Sequence, residues 1–405
     1  MENIIKIILC LTLIAFIYKG LKNKYFVGLI FIGFSSIMVT SAIGLDSYKT
    51  FISYFIIYIS MSIYLIQKKN ICIYSNVSIP IFILLLSCII ILIASFNSPA
   101  INSDYFDVKM RNYITLSLLP SLLILIIGNY KKEEDVFIEY FIISISTVFA
   151  TWLLIIFSSN KDVIFNSLWF QRLSLGIINP IWLARFMGIG FLISQSKKYQ
   201  KNLFISLILG TYIFIMSLLT GSKIVLFIIL PIGILLRIKD GFENKKTFIS
   251  ITSIIIFIFF VEYFLGKFDV IAIARRFSFK SQLLYSSNTT WNSFLESNHF
   301  IFGNGFATIG KSLGRPYSKS YPHNVPLELL YETGVIGLTI YFLPIIFAAI
   351  KYIKTKYNSD WIFWAYITYV LFSFFSGDLS GNNYVYLYFT LFVILKNSIE
   401  DDSKT

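Results

Sequence analysis

The chain has 405 residues, of which 57% are hydrophobic and only 14% charged, with a mean hydropathy of +0.75. A soluble protein carries about a quarter charged residues, so a water-soluble globular fold is excluded. The net charge of +13 does not mark a nucleic-acid binder, because the cations sit mostly in short loops between apolar blocks.

In chain order, apolar blocks of about 17–25 residues, long enough to cross a bilayer, recur to the C-terminus. They predict an all-α polytopic membrane protein with about thirteen transmembrane helices, in a range of about 12–14. The blocks lie near 4–18, 25–43, 50–66, 79–96, 112–128, 137–157, 176–194, 202–219, 223–237, 247–265, 333–350, 360–376 and 383–396. The first follows Met-Glu-Asn without a small-residue cleavage pattern, so it is expected to stay as a span and not to leave as a signal peptide. Cys10, Cys72 and Cys88 show no disulfide framework. His299 and His323 are the only histidines, and without paired His/Cys spacing no metal site is expected.

Basic residues concentrate in alternate loops: Lys19/Lys22/Lys24, Lys68/Lys69, Lys131/Lys132, Lys197/Lys198/Lys201, Arg237/Lys239/Lys245/Lys246 and Lys351/Lys354/Lys356. The intervening loops hold only Lys49, Lys109, Arg111, Lys161, Arg172 and Lys223. Positive-inside bias assigns the first set to the cytoplasm. Segments 97–111, 158–175 and 266–325 then face outward. The expected organisation is a spanning region 1–265, a large extracytoplasmic loop 266–325, an interfacial helix with the last spans at 326–398, and a cytoplasmic tail 399–405. Within the loop, Gln282–Phe294 has the pattern of an amphipathic helix and "GNGF" at 303–306 is a turn signal.

Three stretches hold residues with chemical potential. In "PHNVPLELLYETGVIG", Pro326 suits a first helical turn, Glu328 and Glu332 share a face at i, i+4, and Gly334 and Gly337 allow a bend. His323 and Asn324 stand at the mouth of that helix; the plain alternative is an interfacial helix carrying an incidental histidine. In "QRLSLGIINPIWLARFMGIG", Arg185 falls inside an apolar span, where an arginine needs a partner or a polar cavity. It could equally pair with a structural acid such as Glu262, and Arg172 could be a plain surface charge. In "LTGSK", Lys223 sits at the mouth of a span, where lysines commonly snorkel. Together the stretches suit an anionic lipid-linked substrate, with cations for a diphosphate, aromatics for sugar faces and a base for a hydroxyl.

The stretches "RLSLGIINPIWLA", "LTGSK", "FIFGNGF" and "HNVPLELLYETGVIG" resemble, in that order, landmarks of the O-antigen ligase and O-antigen polymerase superfamily of multi-span glycosyltransferases. The resemblance covers roughly 170–345. It departs where the family has arginine and this chain has Lys223, and where an arginine four residues before Trp291 is replaced by Ser287. Arg275 or Arg276 stands nearby as a substitute. The resemblance implies transfer of a glycan from undecaprenyl diphosphate to an acceptor hydroxyl, without metal, cofactor or nucleotide sugar. His323 takes the family's proposed catalytic position, with Glu328 as the other candidate base. Arg172, Lys223, Arg276 and Arg315 would contact the diphosphate, and Arg185 and Asn324 would position substrate. Implied partners are the undecaprenyl-diphosphate-linked oligosaccharide, membrane lipid, a chain-length regulator and a flippase, at the bacterial inner membrane with the site facing the periplasm.

The altered arginine positions favour a repeat-unit polymerase for O-antigen or capsule over a ligase that passes polymer to lipid A-core. A lipid-linked oligosaccharide flippase is the alternative of another class. It predicts charges along a path in both halves of the chain, whereas the suggestive ones here follow residue 170.

Overall fold

The computed structural model describes residues 2–67, 77–127, 132–166, 173–175, 178–200, 202, 204–222, 225–239, 282–297, 299–314, 323–354, 360–375, 379 and 382–402. Every regular element among them is helical. Six helices among the described residues are long and apolar enough to cross a membrane: Glu2–Asn23, Asp46–Gln67, Ser78–Phe96, Asp104–Ile127, Glu133–Ser159 and Val325–Ile353. Shorter apolar helices occupy Phe26–Ala42, Pro180–Ser194, Phe204–Leu218, Val225–Leu236, Trp361–Ser373 and Tyr384–Ile394. Each matches an apolar block of the sequence; the block near 247–265 lies outside the described residues.

Two boundaries differ from the hydropathy reading. The helix expected over 112–128 begins at Asp104, so Lys109 and Arg111 are helical residues and not loop charges. Ser103 caps it by accepting a hydrogen bond from the Phe106 N–H at 3.2 Å, and Asp104 and Asp107 favour its positive N-terminal end. Likewise the helix expected to end near 157 runs on as Lys132–Asn166, into the segment expected as a loop. In both cases the apolar count stops at the first polar residues, while the backbone continues the helix through them.

The chain folds as two compact units. The first comprises Met1–Ile63, Lys132–Ser278 and Asn358–Trp364. In it Glu2–Asn23 packs on Phe26–Ala42 and on Lys132–Asn166, and Pro180–Ser194 packs on Lys132–Asn166 and Gly210–Leu218. Small residues permit the close approach, as at membrane helix crossings: a Cβ on Gly190 would stand 2.5 Å from Ser146 Oγ. A polar cluster sits at the start of Lys132–Asn166. There the Glu139 carboxylate meets Lys198 and accepts from Tyr199 Oη at 2.8 Å, and Asp135 accepts from Trp361 Nε1 at 3.1 Å.

The second unit comprises Tyr64–Lys131, Phe279–Tyr357 and Ala365–Thr405. Here Ser78–Phe96 packs along Val325–Lys354, and Tyr384–Asp402 along the Asp104–Ile127 helix. That last helix changes to π geometry at Tyr113–Leu118, where Tyr113 meets Tyr386 edge to face. Tyr369 stacks on Tyr384 and Tyr388, with centroids 4.9 and 5.3 Å away. As the sequence predicts, Gln282–Glu296 is a helix; its Phe294 joins Ile309, Leu330 and Tyr331 in a small core.

Candidate functional site

The most chemically distinctive place in the described residues lies in the second unit, around the start of Val325–Lys354. Asn324 caps this helix: its Oδ1 accepts from the Leu327 N–H at 3.0 Å and its carbonyl accepts from the Glu328 N–H at 3.0 Å. The half-buried His323 immediately before it is held at φ 57°, in the left-handed region that non-glycine residues rarely occupy. Such strained positions persist only where the surroundings impose them, and they gather at functional sites.

The helix breaks at Gly334, with φ 69° and ψ −167°. The break separates Tyr331 O and Glu332 O from the N–H groups of Val335 and Ile336, their partners in an unbroken α-helix. All four groups find partners in the segment 300–305. Asn304 N–H donates to Tyr331 O at 2.8 Å and Gly305 N–H to Glu332 O at 3.0 Å. Val335 N–H donates to Phe300 O at 2.9 Å and Ile336 N–H to Ile301 O at 3.4 Å. The contact is backbone on backbone, which explains the glycines: a Cβ on Gly334 would lie 2.2 Å from Ile301 O, and one on Gly303 2.4 Å from the Glu332 carbonyl carbon. "GNGF" and "ETG" are therefore two halves of one joint.

Below the joint is a sealed charge cluster. Lys109 Nζ lies 2.5 Å from Glu328 Oε1 and 2.7 Å from both carboxylate oxygens of Glu332. The side chains of Lys109 and Glu328 are wholly buried and that of Glu332 almost so. Glu328 Oε2 also accepts from the Leu379 N–H at 3.0 Å, and Glu332 Oε1 from the Ile309 N–H at 3.2 Å. The ammonium stands over the Phe306 ring, 4.8 Å from its centre, an attractive cation–π placement. One ammonium thus serves two carboxylates four residues apart, which orients the helix that His323 precedes.

The structure brings His323, Asn324 and Glu328 into one helix start and puts Glu328 in its interior, not at an exposed mouth. Asn324 Oδ1 is occupied as a cap. Arg185 is buried, at 3% exposure, in the Pro180–Ser194 helix of the first unit. Arg172, Lys223, Arg275, Arg276 and Arg315 lie outside the described residues. Their flanks are informative: the Leu173 N–H donates to Leu219 O at 3.2 Å, joining the first two landmark stretches by their backbones. No protein-family model matches the chain, and no curated protein matches it. The landmark resemblance rests on the residues themselves.

Lys109 escaped the sequence reading. Its signal was the Ser103 cap, which starts a helix whose buried positions Tyr105, Phe106, Lys109 and Tyr113 put the lysine inside an apolar stripe. In the first unit, the polar cluster includes Tyr199, whose phenol is pushed up by burial and by the Glu139 carboxylate.

Proposed function

We propose that the protein is a polysaccharide repeat-unit polymerase, of the O-antigen or capsule type. It would act at the outer leaflet of the bacterial inner membrane, through about thirteen spans. The observation that carries this reading is that the landmark stretches pair in space, the first with the second through one backbone hydrogen bond and the third with the fourth through four.

In the reaction, an acceptor sugar hydroxyl attacks the anomeric carbon of the undecaprenyl-diphosphate-linked glycan. The new C–O bond forms as the bond to the diphosphate oxygen breaks, and undecaprenyl diphosphate leaves with the electron pair. His323 takes the hydroxyl proton as general base. Both carboxylates are already engaged by Lys109, so Glu328 is assigned the positioning of the histidine's helix and not the role of base. Arg172, Lys223, Arg276 and Arg315 stabilise charge on the leaving diphosphate, and Arg185 lends a cation to substrate placement. Membrane lipid, a chain-length regulator and a flippase are the proposed partners.

Purified enzyme assayed with lipid-linked repeat units tests the assignment. His323→Ala should lose at least about a hundredfold in turnover while remaining folded, and His299→Ala should stay close to wild type. Arg172→Ala and Lys223→Ala should each lose on the order of a hundredfold, with Lys223→Arg much milder. Normal turnover by His323→Ala in folded protein overturns the assignment. In a deletion strain, loss of the ladder with one repeat still on the core fits the polymerase; polymer accumulating on undecaprenyl diphosphate identifies a ligase instead.

A further inference from the structure

Residues 300–302 are Phe, Ile and Phe, and they are exposed by 42, 59 and 57%. The sequence places them in a large water-facing loop, where a run of exposed apolar residues is an error unless it serves a purpose. Their surroundings point elsewhere.

Two hydrogen bonds tie this segment to Val335 and Ile336, where the second half of the broken helix begins. Val335 is itself exposed, and Ile346, Ile350 and Ile353 are exposed at positions that return to the same side of the helix. These residues form the outward stripe of a helix suited to lipid. From Val335 to Ile353 the helix covers roughly 28 Å at 1.5 Å per residue, near the roughly 30 Å of bilayer hydrocarbon. Val335 therefore marks the edge of the hydrocarbon, and Phe300, Ile301 and Phe302 extend the stripe at that level. Trp291 and Leu295, exposed one turn apart on the preceding helix, continue it toward the interface that tryptophan favours.

Backbone hydrogen bonds fix the segment against protein on its inner side. Phe300 O and Ile301 O accept from Val335 and Ile336, Gly303 N–H donates to His299 O, and Asn304 and Gly305 N–H donate across the joint. Phe306 N–H donates to Ala94 O, in the last turn of the apolar helix Ser78–Phe96, and Phe306 O accepts from Ser98 Oγ at 2.5 Å.

We propose that residues 300–302 form a wedge at the surface of one leaflet, their side chains reaching into the outer acyl-chain region with lipid hydrocarbon as the partner. The wedge anchors the Gly334 joint at the membrane surface, independently of what reaction the protein performs. A nitroxide on Phe302→Cys, in full-length protein with Cys10, Cys72 and Cys88 replaced by serine and reconstituted in phosphatidylcholine–phosphatidylglycerol vesicles, tests it. Collision with oxygen should dominate over collision with a water-soluble nickel chelate, as for a label at the lipid-facing Ile346. A label at the exposed Lys311 should give the opposite ratio. Nickel accessibility at 302 equal to that at 311 overturns the proposal. Shielding from both reagents overturns it too, and assigns the patch to a protein partner. Ile301→Cys gives the same reading if Phe302→Cys does not fold.

Discussion

Each of the two units buries a cluster of carboxylates with a lysine, and the two are built differently. In the first unit Lys198 keeps 40% of its side chain exposed while Glu139 is buried, so the pair can borrow solvent. In the second unit Lys109 is sealed and answers two glutamates at once. Taking charges out of water costs several kcal/mol per ion, and only close geometry and further hydrogen bonds offset it. The sealed cluster has both, since each carboxylate also accepts a backbone N–H. A half-open pair tolerates the loss of a partner because water replaces it. A sealed one does not.

The largest break in this comparison is Lys109→Met. It strands two carboxylates in the interior and should destabilise the protein by about 3–5 kcal/mol, seen as a lower unfolding temperature in detergent and poor recovery of monodisperse protein. Adding Glu328→Gln and Glu332→Gln to Lys109→Met should recover much of the loss. If the triple variant is no better than the single, the charge account of the cluster is wrong.

Next comes the joint above it. Gly334→Ala forces an L side chain into an essentially glycine-only backbone conformation, worth about 1–3 kcal/mol by itself, and also drives its Cβ into Ile301 O. Gly314 has a similar φ of 68° but open space around it. Gly314→Ala should therefore show the backbone strain alone, and Gly334→Ala measurably more in the same thermal assay. Equal shifts would mean that the backbone contact is not tight.

Smaller still is the cap. Asn324→Ala removes the acceptor for the Leu327 N–H and should cost about 1 kcal/mol, with Asn324→Asp close to neutral. The half-open pair should lose less than the sealed one, because water can reach the place of the Lys198 ammonium and Tyr199 still donates to Glu139: Lys198→Met should cost less than Lys109→Met. A loss as large as that of Lys109→Met would erase the distinction between the clusters.

Much of this was legible in the sequence. The apolar blocks became helices because a backbone among apolar groups must satisfy its own hydrogen bonds. Pro326 and Gly334 announced a helix start and a bend, since first-turn and left-handed preferences are local properties; the cap by Asn324 was not announced. Glu328 and Glu332 announced a shared face. Their burial was not announced, and neither was the extension of the helix back to Asp104, because hydropathy counts cannot tell a polar residue facing a partner from one facing solvent.

The sequence by itself determined which apolar segments are helices and where one can start and bend. Only the tertiary structure decided that Lys109 meets Glu332 across 223 residues and that "GNGF" closes the break at Gly334. Helix periodicity and capping act over three or four residues and leave a local trace. A buried ion pair and a backbone joint depend on which distant segments pack together, and that choice is made by the whole core at once.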